Sequence, residues 1–114
     1  MENLNKEIIL KKLSEIDKNK YGFSKIGLFG SYSKGEQTEN SDIDILVEME
    51  INSDKYEESS YFRFCNLKRY LEELFEKKVD LIDRSQFNYK YKCPAVKEYK
   101  DKLRQEILES VIYA

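Results

Sequence analysis

The 114-residue sequence contains no histidine, and this absence excludes several kinds of active site. Ser-His-Asp catalysis, Cys-His catalysis, histidine-ligated zinc and imidazole general-base chemistry all require that side chain. The two cysteines, Cys65 and Cys93, are too few for a disulfide framework and too isolated for a zinc site. A reduced, cytoplasmic protein is the simplest interpretation, and its proton or metal chemistry must use Asp, Glu, Lys, Tyr or Cys.

Long apolar runs are also absent from the sequence. No stretch is long enough to span a bilayer, and no basic and then apolar signal segment stands at the N-terminus. The length predicts one domain, residues 1–114, with a single modest core.

The net charge is only −2, but the charges are unevenly distributed. Residues 35–60 contain nine acids and one base, whereas residues 77–104 contain nine bases and four acids. The acidic segment suits cations and the basic segment suits a polyphosphate or an acidic partner, although two solvated faces of opposite sign would give the same pattern. The slightly acidic balance argues against stable binding to nucleic acid.

The pattern of apolar residues and breakers predicts a small α+β domain with one sheet. Pro94 is expected at the start of the last helix, and Asp54 is a candidate cap for a long central helix. The predicted helices cover about residues 2–18, 54–77 and 94–111, and the predicted strands cover residues 25–29, 42–48 and 78–83.

Three carboxylates are the candidate catalytic and metal-binding groups. Asp42 and Asp44 stand two residues apart on a strand that places Ile43 and Ile45 on its other face, so both carboxylates point the same way, roughly 7 Å apart. Asp80 lies within an apolar strand sequence, so we expect it to converge with them to within about 4–6 Å. Aspartates in such a cluster can hold two Mg²⁺ ions for phosphoryl or nucleotidyl transfer, because Mg²⁺ prefers oxygen ligands.

A small-residue turn precedes these carboxylates. Gly30 allows the backbone to approach a phosphate closely, and the Ser31 hydroxyl can donate to it at the start of a short helix. Lys34 adds a positive charge one turn later. We therefore predict that Gly30, Ser31 and Lys34 bind a nucleotide phosphate group.

These motifs together resemble the minimal nucleotidyltransferases of the DNA polymerase beta superfamily. In that family the first motif is Gly-Ser-x-Ala-Arg-Gly and the second is Ser-Asp-Ile-Asp-Leu. Here Ser33 replaces the usual alanine, and Lys34 replaces the usual arginine, which keeps the charge but loses the bidentate guanidinium. The matching segments are GSYSKGE (residues 30–36), SDIDILV (residues 41–47) and VDLI (residues 79–82).

The resemblance implies a nucleotidyltransferase fold, with a small mixed sheet flanked by helices. It implies that Gly30 and Ser31 bind ATP and that the three aspartates carry two Mg²⁺ ions, with Mn²⁺ as a possible substitute. It further implies an antitoxin that transfers AMP from ATP to a tyrosine of a partner HEPN-domain toxin. Two alternatives stay open: nucleotidyl transfer to a small molecule such as an aminoglycoside, with a homo-oligomer supplying the pocket, and a non-catalytic antitoxin that acts by binding alone.

Aromatic residues near the C-terminus are candidates for a partner interface. Tyr89, Tyr91 and Tyr99 lie among lysines, a composition that suits a protein interface. Cys65 on the long helix is interpreted as a core residue instead.

Overall fold

A computed structural model describes residues 4–50, 59–84 and 93–114, which form one mixed sheet flanked by helices. The predicted α+β class is therefore confirmed. Asp54, Tyr89 and Tyr91 lie outside the described residues. The helices are α1 (Lys6–Ser14), α2 (Lys18–Tyr21), α3 (Gly30–Lys34), α4 (Ser60–Phe75) and α5 (Pro94–Ser110), and the strands are β1 (Phe23–Phe29), β2 (Ile43–Met49), β3 (Val79–Asp83) and β4 (Ile112–Tyr113).

The strands lie in the order β3-β2-β1-β4. β1 is antiparallel to both of its neighbours, β2 and β4, whereas β2 and β3 run parallel. α4 provides the crossover that a parallel pair requires. Since β2 and β3 run the same way, their N-terminal ends meet at one end of the sheet, and β3 is an edge strand of the described sheet.

The larger core lies on the face of the sheet that α1 and α4 cover. Ile43, Ile45 and Val47 of β2 are fully buried in it, as the predicted alternation requires. α1 contributes Ile9 and Leu13, and α4 contributes Leu67, Leu71 and Phe75.

The opposite face of β2 is covered only in part. Leu46 packs with Phe29 and with Ile107 of α5, and Leu103 lies against the same cluster. The aspartates share this face of β2 with Leu46, so the face is apolar beneath α5 and acidic at the N-terminal end of the strands.

Arg63 of α4 is a buried cation, with 2% of its surface exposed. Its guanidinium donates to the carbonyl oxygens of Tyr21 (3.2 Å), Gly22 (2.9 Å) and Glu50 (2.8 Å). These bonds connect α4 to the turn before β1 and to the chain just after β2. Burial of the charge is tolerated because the carbonyls replace its water.

The predicted first helix is two helices, so its expected length was wrong. α1 ends at Ser14, and Asp17 starts α2 by accepting from the amides of Asn19 and Lys20. Gly22 then ends α2 in the left-handed conformation, with φ 70°. The polar residues between the two helices offered the backbone this local cap in place of a continuous helix.

The C-terminal part of the chain differs from the expected single helix in one respect. α5 begins at Pro94 as predicted, but it ends at Ser110, and Ile112 and Tyr113 form β4 against β1. At Gly27 of β1, an added β-carbon would lie 2.9 Å from the Ile112 carbonyl oxygen, so a glycine is needed for this close pairing. No helix among the described residues is long and apolar enough to cross a membrane.

Candidate active site

The candidate aspartates lie at the N-terminal ends of β2 and β3. In the parallel pairing of these strands, Asp44 is the direct partner of Asp80. Asp42 precedes β2 by one residue and lies two residues before Asp44, which places it on the same side of the strand. The structure thus brings together carboxylates that stand far apart in the sequence.

The pKa of Asp44 is raised in this environment. Burial of the carboxylate is the largest cause that raises the pKa of Asp44, followed by the negative charges of Asp80 and Asp42, and together they raise it from 3.8 to about 6. Asp44 is half-buried, whereas Asp42 and Asp80 are exposed. A cation that entered the site would relieve the repulsion that raises this pKa.

Neighbouring rows across the two strands show that the pairing of Asp44 with Asp80 is exceptional. Leu46 is opposite Ile82, an apolar pair beneath α5. The next row is an ion pair, in which an Arg84 nitrogen lies 3.8 Å from an oxygen of Glu48. Like charges directly opposite each other destabilise a sheet. The Asp44 row is therefore unfavourable unless a cation binds there.

The side chains at this end of the sheet fit divalent cations of the Mg²⁺ type. All three are carboxylates, which are hard oxygen ligands, and the absence of histidine suits Mg²⁺ or Mn²⁺ better than zinc. Within residues 4–50, 59–84 and 93–114, no three acidic or cysteine side chains are already arranged to hold a metal ion. The expected convergence of the three carboxylates to within about 4–6 Å therefore stays a prediction.

Gly30 allows the turn that was predicted to bind phosphate to lie close to Asp44. It has φ +73°, and an added β-carbon would overlap the Asp44 carboxylate, 3.1 Å from its Cγ. No other residue type satisfies both conditions. The Gly30 amide donates to the Ser110 hydroxyl oxygen of α5 (3.3 Å), which holds the turn against that helix.

The rest of the turn forms the predicted short helix, α3. The Ser33 hydroxyl is buried and donates to the Gly30 carbonyl oxygen (2.8 Å), which explains how serine is accommodated where alanine is usual. Ser31 is half-buried and Lys34 is exposed. Ser31 thus lies beside Gly30 in the turn, whereas Lys34 lies on the outside of α3.

Ser41 closes the loop that delivers the chain into β2. Its hydroxyl oxygen accepts from the Thr38 amide (2.9 Å), and its own amide donates to the Thr38 carbonyl oxygen (3.1 Å). This tight turn places Asp42 at the start of the strand.

Two residues near the site were missed by the sequence analysis. Lys78 immediately precedes β3, and its ammonium lies 3.9 Å from a carboxylate oxygen of Asp42. Period-two alternation places Lys78 on the same face as Asp80, so this signal was available in the sequence. Ser110 had no such signal, because its partner Gly30 is 80 residues away.

Comparisons with known proteins show what this chain is similar to. The family model described as a nucleotidyltransferase domain matches residues 7–114. A Methanocaldococcus jannaschii protein provisionally named a protein adenylyltransferase is 42% identical over 90 residues, covering 79% of this chain and 86% of the relative. The protein adenylyltransferase MntA of Thermococcus cleftensis is 43% identical over 68 residues, covering 60% of this chain and 63% of that protein.

Solved structures show the same similarity. A structure provisionally described as a minimal nucleotidyltransferase superposes with a TM-score of 0.64 at 25% identity, covering 98% of both chains. A chain in the crystal structure of a toxin–antitoxin with AMP-PNP gives a TM-score of 0.55 at 28% identity, covering 96% of this chain and 72% of that chain.

Proposed function

This chain belongs to the nucleotidyltransferase domain family, and we propose that it is a protein adenylyltransferase that moves AMP from ATP to a hydroxyl of a partner protein. Nucleotidyltransferase activity is common to this family, which implies a nucleotide substrate and a divalent metal ion. The observation that carries the proposal is the contact between Gly30 and Asp44, because it places a turn suited to phosphate beside carboxylates suited to divalent cations.

Asp42, Asp44 and Asp80 would hold two Mg²⁺ ions, with Mn²⁺ as a substitute. When bound, such ions stabilise the charge that develops in an in-line nucleotidyl transfer and make the attacking hydroxyl more acidic. Asp44 would help to hold these ions, since the negative charges of both other aspartates act on it. Asp80 is exposed on β3, an edge strand of the sheet that the described residues form, where an acceptor can approach it.

The residues of the turn hold the nucleotide in this proposal. The Ser31 hydroxyl and the free amides of the first turn of α3 donate to phosphate oxygens, since these amides have no partner within the helix. The Gly30 amide is held by Ser110 and fixes the turn instead. Lys34 contributes positive charge from the outer side of α3.

The transfer makes one bond and breaks another. The acceptor oxygen bonds to the α-phosphorus of ATP, and the bond between that phosphorus and the pyrophosphate oxygen breaks. Asp80 takes the proton of the acceptor hydroxyl, because it is the exposed carboxylate on the accessible edge of the sheet. Pyrophosphate is the leaving group.

We propose that the acceptor is a tyrosine of a HEPN-domain toxin, for which this chain is the antitoxin. The similarity to a toxin–antitoxin structure with AMP-PNP supports both the partner and the nucleotide. The start of α5 offers a contact surface, because Val96 and Tyr99 are exposed there, each followed by a lysine, Lys97 or Lys100.

Mass spectrometry of the partner tests the proposed function. With ATP, Mg²⁺ and the cognate HEPN protein, the wild-type chain should add AMP units of about 329 Da each to a tyrosine of the partner. Asp44→Asn should abolish the addition, since it removes the central carboxylate. Neutralisation of the toxin without a mass change, equally by wild type and Asp44→Asn, would instead show an antitoxin that acts by binding alone.

A further inference from the structure

We propose that Lys78 is a mobile counter-ion of the active site, which contacts Asp42 in the metal-free protein and the phosphates of the nucleotide after divalent cations bind. This inference rests on the proposed function, because it assumes that a nucleotide and divalent cations enter the aspartate end of the sheet. Lys78 would then be a binding residue for the triphosphate, beside the turn that begins at Gly30.

The backbone of Lys78 is held next to the aspartates. Its carbonyl oxygen accepts from the Ile43 amide (3.1 Å), the residue between Asp42 and Asp44. The parallel pairing continues directly from this bond, with Ile43 opposite Val79. The position from which the lysine side chain extends is therefore set by the same strands that position the carboxylates.

The side chain of Lys78, in contrast, is free to move. Its ammonium lies 3.9 Å from the nearer Asp42 oxygen, and 74% of the side chain is exposed. An exposed ion pair at this distance is weak, so a divalent cation can displace the lysine from Asp42 at little cost. The flexible four-carbon stem then allows the ammonium to reach another anion nearby.

Neighbouring basic residues have other contacts. The Lys77 ammonium donates to the Glu39 carbonyl oxygen (2.8 Å) and holds the loop before β2. Arg84 pairs with Glu48, beyond the apolar row beneath α5. In the part of the chain that the structure describes, Lys78 is the one basic residue that forms an ion pair with any of the three aspartates.

A lysine at this position has opposite effects on the two ligands. Its positive charge competes with metal ions for Asp42 and repels them, so it weakens metal binding in the absence of nucleotide. The same charge attracts a triphosphate, so it strengthens nucleotide binding once metal ions occupy the carboxylates. A residue that only supported the fold would affect both ligands in the same direction.

Binding measurements on Lys78→Met test this proposal without relying on catalysis. Titration with Mn²⁺ alone, followed by electron paramagnetic resonance of the free ion, should show affinity tighter than wild type by about threefold to tenfold at low salt. Calorimetry with ATP at saturating Mn²⁺ should show nucleotide affinity weaker by about the same factor. Both differences should shrink as the salt concentration rises, because salt screens exposed charges.

Two further variants serve as controls. Lys78→Arg keeps the charge and should stay within about twofold of wild type for both ligands. Lys11→Met removes an exposed lysine from α1, which covers the opposite face of the sheet, and should change neither affinity.

The proposal is overturned if the two affinities of Lys78→Met do not move in opposite directions. If wild type binds Mn²⁺ and ATP but Lys78→Met matches it, only the role of Lys78 fails. If wild type binds ATP equally well with Mn²⁺ and with EDTA, both the proposed function and the role of Lys78 fail.

Discussion

Asp44 and Asp80 face each other directly across the parallel strands β2 and β3, so two carboxylates occupy positions where like charges repel. The same row lies against Gly30, whose missing side chain leaves room for the Asp44 carboxylate. Two opposed carboxylates do not add to the stability of the sheet. Their energetic cost is explained if the row exists to bind cations, as the nucleotidyltransferase family implies.

Asp44→Asn should stabilise the metal-free protein at neutral pH. The pKa of Asp44 in the folded protein, about 6, lies above its ordinary value of 3.8, so folding favours the protonated form. Stability from this group is therefore present at low pH and is lost as pH rises through about 6. We expect the variant to be more stable by about 1–2 kcal/mol at pH 7, after allowing for solvent screening.

Urea denaturation in EDTA between pH 4 and pH 8 measures this difference. The gain from Asp44→Asn should be small at pH 4 and should reach its full size above pH 6.5. Glu73→Gln, which removes an exposed carboxylate from α4, should show no such rise. If Asp44→Asn is less stable than wild type at every pH, the ionised Asp44 carboxylate does not destabilise the folded protein.

Divalent cations should reverse the order of stability. Mg²⁺ or Mn²⁺ binds the folded aspartates and raises the melting temperature of wild type, by an amount that grows with the cation concentration. The melting temperatures of Asp44→Asn and Asp80→Asn should rise much less, because each variant lacks one of the negatively charged oxygen ligands. Thermal scans with increasing Mn²⁺ check this, and equal shifts in all three proteins would place the metal elsewhere.

ATP binding should depend on the same cations. Without metal, three carboxylates repel a triphosphate, so calorimetry in EDTA should show little binding. With Mg²⁺, binding should appear, and Ser31→Ala should weaken it by about 1 kcal/mol, the typical value of one hydrogen bond. Equal ATP affinity with and without EDTA would show that the nucleotide binds away from the aspartates.

Local patterns in the sequence were sufficient to predict most of the fold, whereas the roles of the candidate site residues stay predictions. The alternation around Asp44 gave the correct face for Ile43 and Ile45, because period two is a property of any strand. The Gly30 turn and the start of α5 at Pro94 followed from the known backbone preferences of glycine and proline.

Features that depend on distant pairing were not predictable in this way. β4 has only two residues, both exposed, and it forms because Gly27 of β1 leaves space for it. Arg63 had the pattern of a surface residue on a charged helix, yet its partners are carbonyl oxygens of residues 21, 22 and 50. Alternation alone places Lys78 on the face of Asp80, but its ion pair with Asp42 depends on the register of β2 and β3.

Arg63→Met should destabilise the protein by about 3 kcal/mol or more, because it removes the charged donor that binds the carbonyl oxygens of residues 21, 22 and 50. Arg63→Lys should lose part of that stability, since an ammonium cannot reproduce the planar arrangement of donors. Arg69→Met, on the exposed side of the same helix, should change the free energy of unfolding little. Chemical denaturation measures all three, and equal losses at positions 63 and 69 would contradict the structural role of Arg63.

The pair Gly30→Ala and Gly35→Ala should separate backbone strain from contact with the active site. Both glycines have positive φ, 73° and 72°, so either substitution strains the backbone by about 1 kcal/mol. An alanine β-carbon at position 30 would also meet the Asp44 carboxylate, whereas nothing lies within 4 Å of the corresponding position at Gly35. Gly30→Ala should therefore lose Mn²⁺ binding and transfer activity, while Gly35→Ala loses stability but keeps Mn²⁺ affinity near wild type. Similar Mn²⁺ affinities in the two variants would show that the turn and the aspartates are not coupled.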